Sequence, residues 1–335
     1  MKKIVSVLLT VAMILSLAAC GGSQKESDTT TKAALNFPTK TIEVVNPYTA
    51  GGGLDLVTRA AAEALKVGQS VTVTNMVGGS SLVAVMDVAN GDKSGHRYVS
   101  HHPESMSAYY LGGVFDKDYG QEFNWICCYA YDSMCIVVGK DSPINNWDDL
   151  VKDALARPGQ QTWGGSGNLS TNHMAAAMAM KKGNFLANYV PYSGAADARI
   201  ACIGGNLDVF IGQTSEMVSY VESGDLKAIA TWSEERVSWM PDVPTVAEIF
   251  GTKEGTIYGL HRGVMIPKEV PADVRQYLED AYKAAVTTEE WQKKVSDSLH
   301  YEPGFWTGEE CAKIAKDSYA FSEEAVAFIN EKLNK

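Results

Sequence analysis

Between Ile42 and Asp55 a β-branched run, Ile42-Glu43-Val44-Val45, breaks into Asn46-Pro47-Tyr48-Thr49-Ala50-Gly51-Gly52-Gly53-Leu54-Asp55. Apolar residues at helical spacing follow at once: Val57, Ala60, Ala61, Ala64 and Leu65. The pattern predicts a strand, a loop that is nearly bare backbone, and a helix. Glycines permit positive φ and close approach to main-chain N–H groups. The first N–H groups of the helix lack intrahelical partners and lie at the positive end of its dipole, so the loop is a ready seat for an anion. Two further strand–loop–helix units follow the same plan, at Trp163–His173 and Tyr192–Asp197.

The first twenty residues bear on location. Lys2 and Lys3 precede an apolar run from Ile4 to Ala19, short for a membrane span, that ends Leu17-Ala18-Ala19-Cys20. This resembles a bacterial lipobox, with Cys20 lipidated and residues 1–20 removed as a signal peptide. Residues 21–36 are polar, small and unpatterned, and read as a disordered tether. The remainder is expected outside the cytoplasm, anchored to the cell membrane through Cys20.

The formal charge is −11, from 29 basic and 40 acidic residues; removing Lys2 and Lys3 leaves 27 basic residues and −13. An acidic chain without a basic cluster is a poor nucleic-acid ligand. Past Cys20 stand Cys127, Cys128, Cys135, Cys202 and Cys311, an odd number without a Cys-x-x-Cys pair. Their spacing demands no disulfide and builds no metal site.

Alternating strand and helix patterns predict an α/β fold with largely parallel sheets. Strands are expected at Val71–Asn75, Tyr98–His101, Ala187–Val190, Asp208–Ile211, Lys227–Trp232 and Gly263–Ile266. Trp125–Val138 is a long apolar run that reads as a strand passing between domains. Helices are expected at Leu82–Ala89, at Trp147–Ala156 with Asn146 or Asn145 as cap, at Thr171–Lys181, at Ala195–Ile203 and beyond Ala272. Thr162–Trp163 reads as a strand tip entering a loop, Gly164-Gly165-Ser166-Gly167.

Enzyme chemistry finds no support. Gly164-Gly165-Ser166-Gly167-Asn168 breaks the nucleophile-elbow pattern at its last position. No Gly-Lys-Ser/Thr phosphate loop occurs, and His101-His102 with Glu104 is a thin basis for a metal. We expect neither catalysis, nor a cofactor, nor a metal.

Several strings together resemble the substrate-binding receptors of tripartite tricarboxylate transporters, the Bug-type solute receptors. They are Phe37-Pro38-Thr39-Lys40-Thr41-Ile42; Pro47–Gly52 with Asp55 and Arg59; Asn75 with Gly78, Val88-Ala89 and Gly95; Gly164, Gly167, Ser170 and His173; Val190–Gly194 with Gly204-Gly205 and Asp208; Met240–Thr245 with Glu248; and Arg262-Gly263-Val264 with Pro267-Lys268 and Pro271. The resemblance implies a two-domain, type II periplasmic-binding-protein-like clamshell, each domain a mixed, mainly parallel sheet flanked by helices. Residues 37–139 and 259–335 would form domain I, and 140–258 domain II. It also implies a monomer that delivers a small carboxylate to membrane permease subunits. Met76, Ser80-Ser81, Leu169 and His261 depart from the family pattern near the implied cleft, so a dicarboxylate or an aromatic acid fits as well as citrate.

The expected ligand-binding residues follow. Tyr48, Thr49, Ala50, Gly51 and Gly52 form the first anion loop, with Asp55 a brace more than a contact. Gly78 and Gly79 belong to the second glycine segment. Ser166, Gly167, Ser170 and Thr171 form the opposing loop, and His173 is either a contact or a buried imidazole bonded to backbone. Tyr192, Ser193, Gly194 and Ala195 form the third loop; Asp208 accompanies it by resemblance. His102, with Ser105, lines the cleft or lies in a surface loop. Arg199 and Arg262 could assist. A binding lipoprotein that senses its ligand and signals, or one that scavenges without a transporter, would need the same clamshell, and sequence does not separate them.

Overall fold

The computed structural model describes residues 35–255 and 257–333; the expected leader, Cys20 and most of the tether lie outside them. Strand β1 (Ile42–Asn46) pairs in parallel with β2 (Val71–Asn75) and β3 (Arg97–His101). On its other side β3 meets β9 (Gly259–Pro267) antiparallel, and β9 runs antiparallel to the first part of β4 (Phe123–Gly139). Strand β10 (Glu302–Thr307) covers the other edge of that part.

From Met134 onward β4 changes partners. Residues 134–138 pair antiparallel with β7 (Val209–Gln213), and 135–139 with β8 (Leu226–Thr231). Parallel strands β5 (Thr162–Ser166) and β6 (Asn188–Tyr192) continue the sheet beyond β7. One strand thus belongs to two sheet halves, changing partners between Ser133 and Met134. Its apolar run follows from burial on both faces. Met134, Ile136 and Val138 enter one core cluster, while Cys135 and Val137 enter another on the opposite face.

Helices α1 (Gly53–Ala64), α2 (Leu82–Ala89) and α3 (Pro103–Leu111) follow β1, β2 and β3. In the second half α4 (Trp147–Ala156) precedes β5, while α5 (Thr171–Gly183) and α6 (Ala195–Ile203) follow β5 and β6. Short helices α7 (Val218–Glu222) and α8 (Val246–Phe250) flank β8. The chain closes with α9 (Ala272–Val286), α10 (Glu289–Leu299) and α11 (Gly308–Phe328). Asn146 caps α4, accepting the Asp149 N–H at 2.9 Å.

Several expectations need correcting. Strand β5 continues to Ser166, so Gly164 and Gly165 lie in the sheet and not in a loop. A Cβ on Gly165 would sit 2.6 Å from the Asn172 Cβ, which is why glycine stands there. Strand β10 and helix α3 were not foreseen. Helix α11 packs against both halves: Cys311 joins the cluster of Trp125 and Cys128, whereas Phe321 and Ala325 join that of Trp232 and Tyr258. The five described cysteines are buried and free. No group of His, Cys, Asp and Glu among the described residues is arranged to hold a metal, and no described helix is long and apolar enough to cross a membrane.

Candidate functional site

The loop between β1 and α1 is braced by side chains from three elements. The Asn46 carboxamide accepts the Tyr48 N–H at 2.9 Å, and Asn75 donates to the Tyr48 carbonyl at 2.9 Å and to Asp55 at 2.8 Å. Asp55 also accepts the Gly51 N–H and the Arg59 Nε, both at 2.9 Å. Burial alone would raise its pKa, but Arg59, the Gly51 N–H and Asn75 outweigh it, and the carboxyl lies below its ordinary range. Asp55 is therefore a brace with its oxygens occupied.

The brace bears on where the expected anion seat lies. The Gly51 N–H is spent on Asp55 and the Gly52 N–H on the Thr49 carbonyl at 3.2 Å. The first intrahelical bond of α1 is Leu56 N–H to Gly52, at 3.0 Å. The N–H groups of Gly53, Leu54 and Asp55 precede it and open at the helix end. Gly52 offers no side-chain cap.

The wall beside this seat is aromatic and imidazole. The Tyr48 ring stacks on His102 with centroids 5.7 Å apart, and its hydroxyl lies 3.3 Å from that of Tyr109. His102 is no surface residue: it is 3% exposed at the N-cap of α3. Burial and then Arg262 hold its pKa well below the ordinary range, so its neutral Nε2 accepts from Arg262 Nη1 at 2.9 Å. His101 accepts the His102 N–H on Nδ1 at 2.9 Å, leaving Nε2–H to reach Ser81 Oγ at 2.8 Å. Gly78, Gly79, Ser80 and Ser81 all have positive φ, of 151°, 54°, 52° and 85°. For the two serines that conformation costs energy, as it often does beside binding sites.

Next to these residues lies a buried polar network that sequence reasoning had not assembled. Asp132, fully buried on β4, accepts from Thr214 Oγ1 at 3.2 Å, Ser215 N–H at 3.2 Å, Ser215 Oγ at 2.7 Å and Arg262 Nη2 at 2.7 Å. Thr214 and Ser215 follow β7, so the network joins the two sheet halves. Tyr301 lies under the Arg262 guanidinium, 5.1 Å from ring centre to Cζ. The signal in the sequence was a carboxylate at position 132 inside an apolar run. His261, next to Arg262 on β9, has a different set of neighbours: Glu104 at 2.6 Å, Tyr131 and Trp306. Alternation along the strand places it on the face opposite Arg262, away from this network.

In the second half, Ser170 caps α5 by accepting the His173 N–H at 3.3 Å, and its hydroxyl donates to the Ser166 carbonyl. Ser166 Oγ bonds Asn172 at 2.6 Å, and the Gly167 N–H is spent on the Tyr192 carbonyl at 2.9 Å. Thr171 is buried in the first turn. His173 takes the backbone-bonded reading: Nδ1 accepts the Leu169 N–H at 3.1 Å, and the ring stacks on Tyr189 at 3.9 Å. Burial holds its pKa down, to about 4.

Helix α6 differs. Gly194 caps it with no side-chain bond, and its first N–H groups, from Ala195 on, are open like those of α1. Ser193 donates to Asp197 at 2.6 Å. Asp208 sits elsewhere. It binds Thr162 N–H at 2.7 Å and Arg157 at 3.0 Å where β5 and β7 begin, at the sheet edge opposite the loops.

Two sheet halves joined by one shared strand, with helix ends opening at the carboxyl ends of β1 and β6, define a solute receptor of the periplasmic-binding-protein-like clamshell class. The family model of the tripartite tricarboxylate transporter family receptor matches residues 57–330. The chain belongs to that family, which consists of solute-binding receptors and not of enzymes. A Cupriavidus necator relative, the UPF0065 protein in the gbd 5' region, is 29% identical over 288 residues, covering 84% of this chain and 85% of its own. A TctC solute binding protein from Polaromonas, solved without ligand, has TM-score 0.73 and 27% identity, covering 88% of this chain and 99% of its own. The malate-bound MatC of Rhodopseudomonas palustris shares the fold at TM-score 0.70 and 22% identity, covering 87% of this chain and all of its own. An adipate-bound R. palustris protein does so at 0.75 and 22%, covering 88% and 99%.

Proposed function

We propose that this receptor captures a small organic acid, a di- or tricarboxylate or a related compound, between two lobes. It then passes the ligand to the permease subunits of a tripartite transporter. The observation that carries this reading is the pair of helix N-termini, α1 and α6, one in each sheet half, that lack side-chain caps. Helices α4, α8, α10 and α11 are capped by Asn or Thr side chains; α2, α3, α7 and α9 also lack side-chain caps, but only α1 and α6 begin at a glycine, Gly52 and Gly194, whose bare backbone leaves the end open. An uncapped end leaves its N–H groups for a ligand. Charge-assisted bonds contribute about 1.5–3 kcal/mol each. Four of them approach or exceed the roughly 8 kcal/mol of a micromolar complex, before ordering costs. Malate and adipate in structural neighbours support an acid of this size.

The reading includes a monomer, lipidated at Cys20 and working outside the cytoplasm, with residues 37–139 and 259–335 as one lobe and 140–258 as the other. The change of partners at Ser133–Met134 supports a hinge within β4 itself, and α11 would bend or slide with it. A thermal-shift screen of mono-, di- and tricarboxylates tests the function. A concentration-dependent rise in melting temperature is expected with at least one acid, and no shift with any would refute the reading. Cys20→Ser should abolish lipid labelling in cells.

A further inference from the structure

We infer that Arg262 is the direct counter-ion for one ligand carboxylate, so that the α1 seat is a helix end reinforced by a fixed guanidinium. The inference rests on the proposed carboxylate ligand and specifies what its cleft adds to backbone N–H groups.

The geometry starts at Gly53, the first residue of α1. A Cβ placed there would lie 2.6 Å from the Tyr301 hydroxyl and 3.6 Å from Arg262 Nη2. The guanidinium therefore lies near the first residue of the turn whose N–H groups are open, and glycine there makes room for the Tyr301 hydroxyl beside it. Arg262 is 6% exposed. Its Nη2 is held by Asp132 and its Nη1 by His102, but its Nε is buried with no partner. A cationic donor left unmatched in a protein interior is costly and calls for an explanation. A ligand oxygen on the α1 end supplies one.

The surrounding groups hold the guanidinium in place, taking Nη1 and Nη2 and leaving Nε. Asp132 already accepts from Thr214, Ser215 and Arg262, so an arriving anion need not displace it. His102 presents a neutral acceptor to Nη1, and Tyr301 supports the flat face. Fixed, planar and multidentate, arginine suits this role better than lysine. Because Asp132 is tied to the turn after β7, a carboxylate on Arg262 also engages an element that spans both sheet halves.

The test is a cycle between residue and ligand, by calorimetry with succinate and adipate and with their monoamides. In the wild type, the dicarboxylate that binds is expected to exceed its monoamide at least tenfold. In Arg262→Gln the dicarboxylate should weaken at least tenfold, and the two ligands should fall within threefold of each other. A folded Arg262→Gln that keeps the wild-type preference would overturn the inference. Should that variant fail to fold, the Nε–H resonance of Arg262 in the wild type decides. A shift on titration with the same dicarboxylate supports direct contact, and an unmoved resonance at saturation refutes it. Absence of binding by the wild type to every carboxylate would instead overturn the underlying reading, and this inference with it.

Discussion

Asp55 holds the loop that precedes its own helix, its carboxylate 2.9 Å from the Gly51 nitrogen and 2.9 Å from Arg59 Nε. An acidic side chain beside an anion seat would ordinarily repel the ligand. Here its charge is consumed by three donors, and the loop it fixes turns the α1 end outward.

Asp55→Asn should therefore lower both stability and affinity. Gly51 and Arg59 both donate to Oδ2 and Asn75 to Oδ1, so an amide that keeps its oxygen on the first two turns its nitrogen against Asn75 Nδ2, leaving a donor unmatched at a cost of about 1–3 kcal/mol. Because the folded pKa is depressed, the stabilisation is complete above the unfolded value and is lost as pH falls through the folded one, below about pH 4. Urea unfolding at pH 7 and pH 3 checks the sign: the variant's deficit should be smaller at the lower pH.

Ala195→Pro isolates one N–H of the α6 end. Proline is well tolerated at the first helical position, and Gly194 before it is already extended, with φ −157° and ψ 161°. The fold should keep its melting temperature within a few degrees. The lost charge-assisted bond should weaken the ligand by about 1.5–3 kcal/mol, a loss of one to two orders of magnitude in calorimetry. Unchanged affinity would remove α6 from the site.

Acid should destabilise the protein through its buried imidazoles, His102 among them. Burial holds His101 and His173 each at about 4, against 6.5 when unfolded. Their contribution is complete above pH 6.5 and is lost as pH falls towards 4, on the order of 2–3 kcal/mol for each. Glu302 acts in the opposite sense: burial raises its carboxyl to about 7, so it favours the folded state as pH falls below that value. Unfolding free energies of the wild type and His173→Gln between pH 7 and 4.5 separate these effects. The variant should show the shallower decline, and equal slopes would contradict the assignment.

What the sequence revealed and what it concealed divide along physical lines. The unit from Ile42 to Ala64 was legible because a β-branched run, a glycine turn and a helical spacing all agree. Helix α6 and the Asn146 cap were legible because such boundaries are set locally. Helix α3 was not: Pro103 to Ala108 are all buried, so it has no polar face to create a period. Strand β10 contains Pro303 and Gly304 and is half-buried throughout, without alternation. Asp132 and Arg262 are 130 residues apart and meet only through strand pairing. Asp208 was misplaced because a family string orders residues along the chain and does not say at which end of a strand each one lies.

The central claim is that open helix-end N–H groups hold the ligand, and amide NMR of the ¹⁵N-labelled, deuterated receptor tests it most directly. On titration with the dicarboxylate that stabilises the protein, the amides of Leu54, Asp55, Ala195 and Ala196 should show the largest downfield shifts and saturate together. Little change at these four positions, with the largest shifts confined to another surface such as the α11 face, would contradict the account.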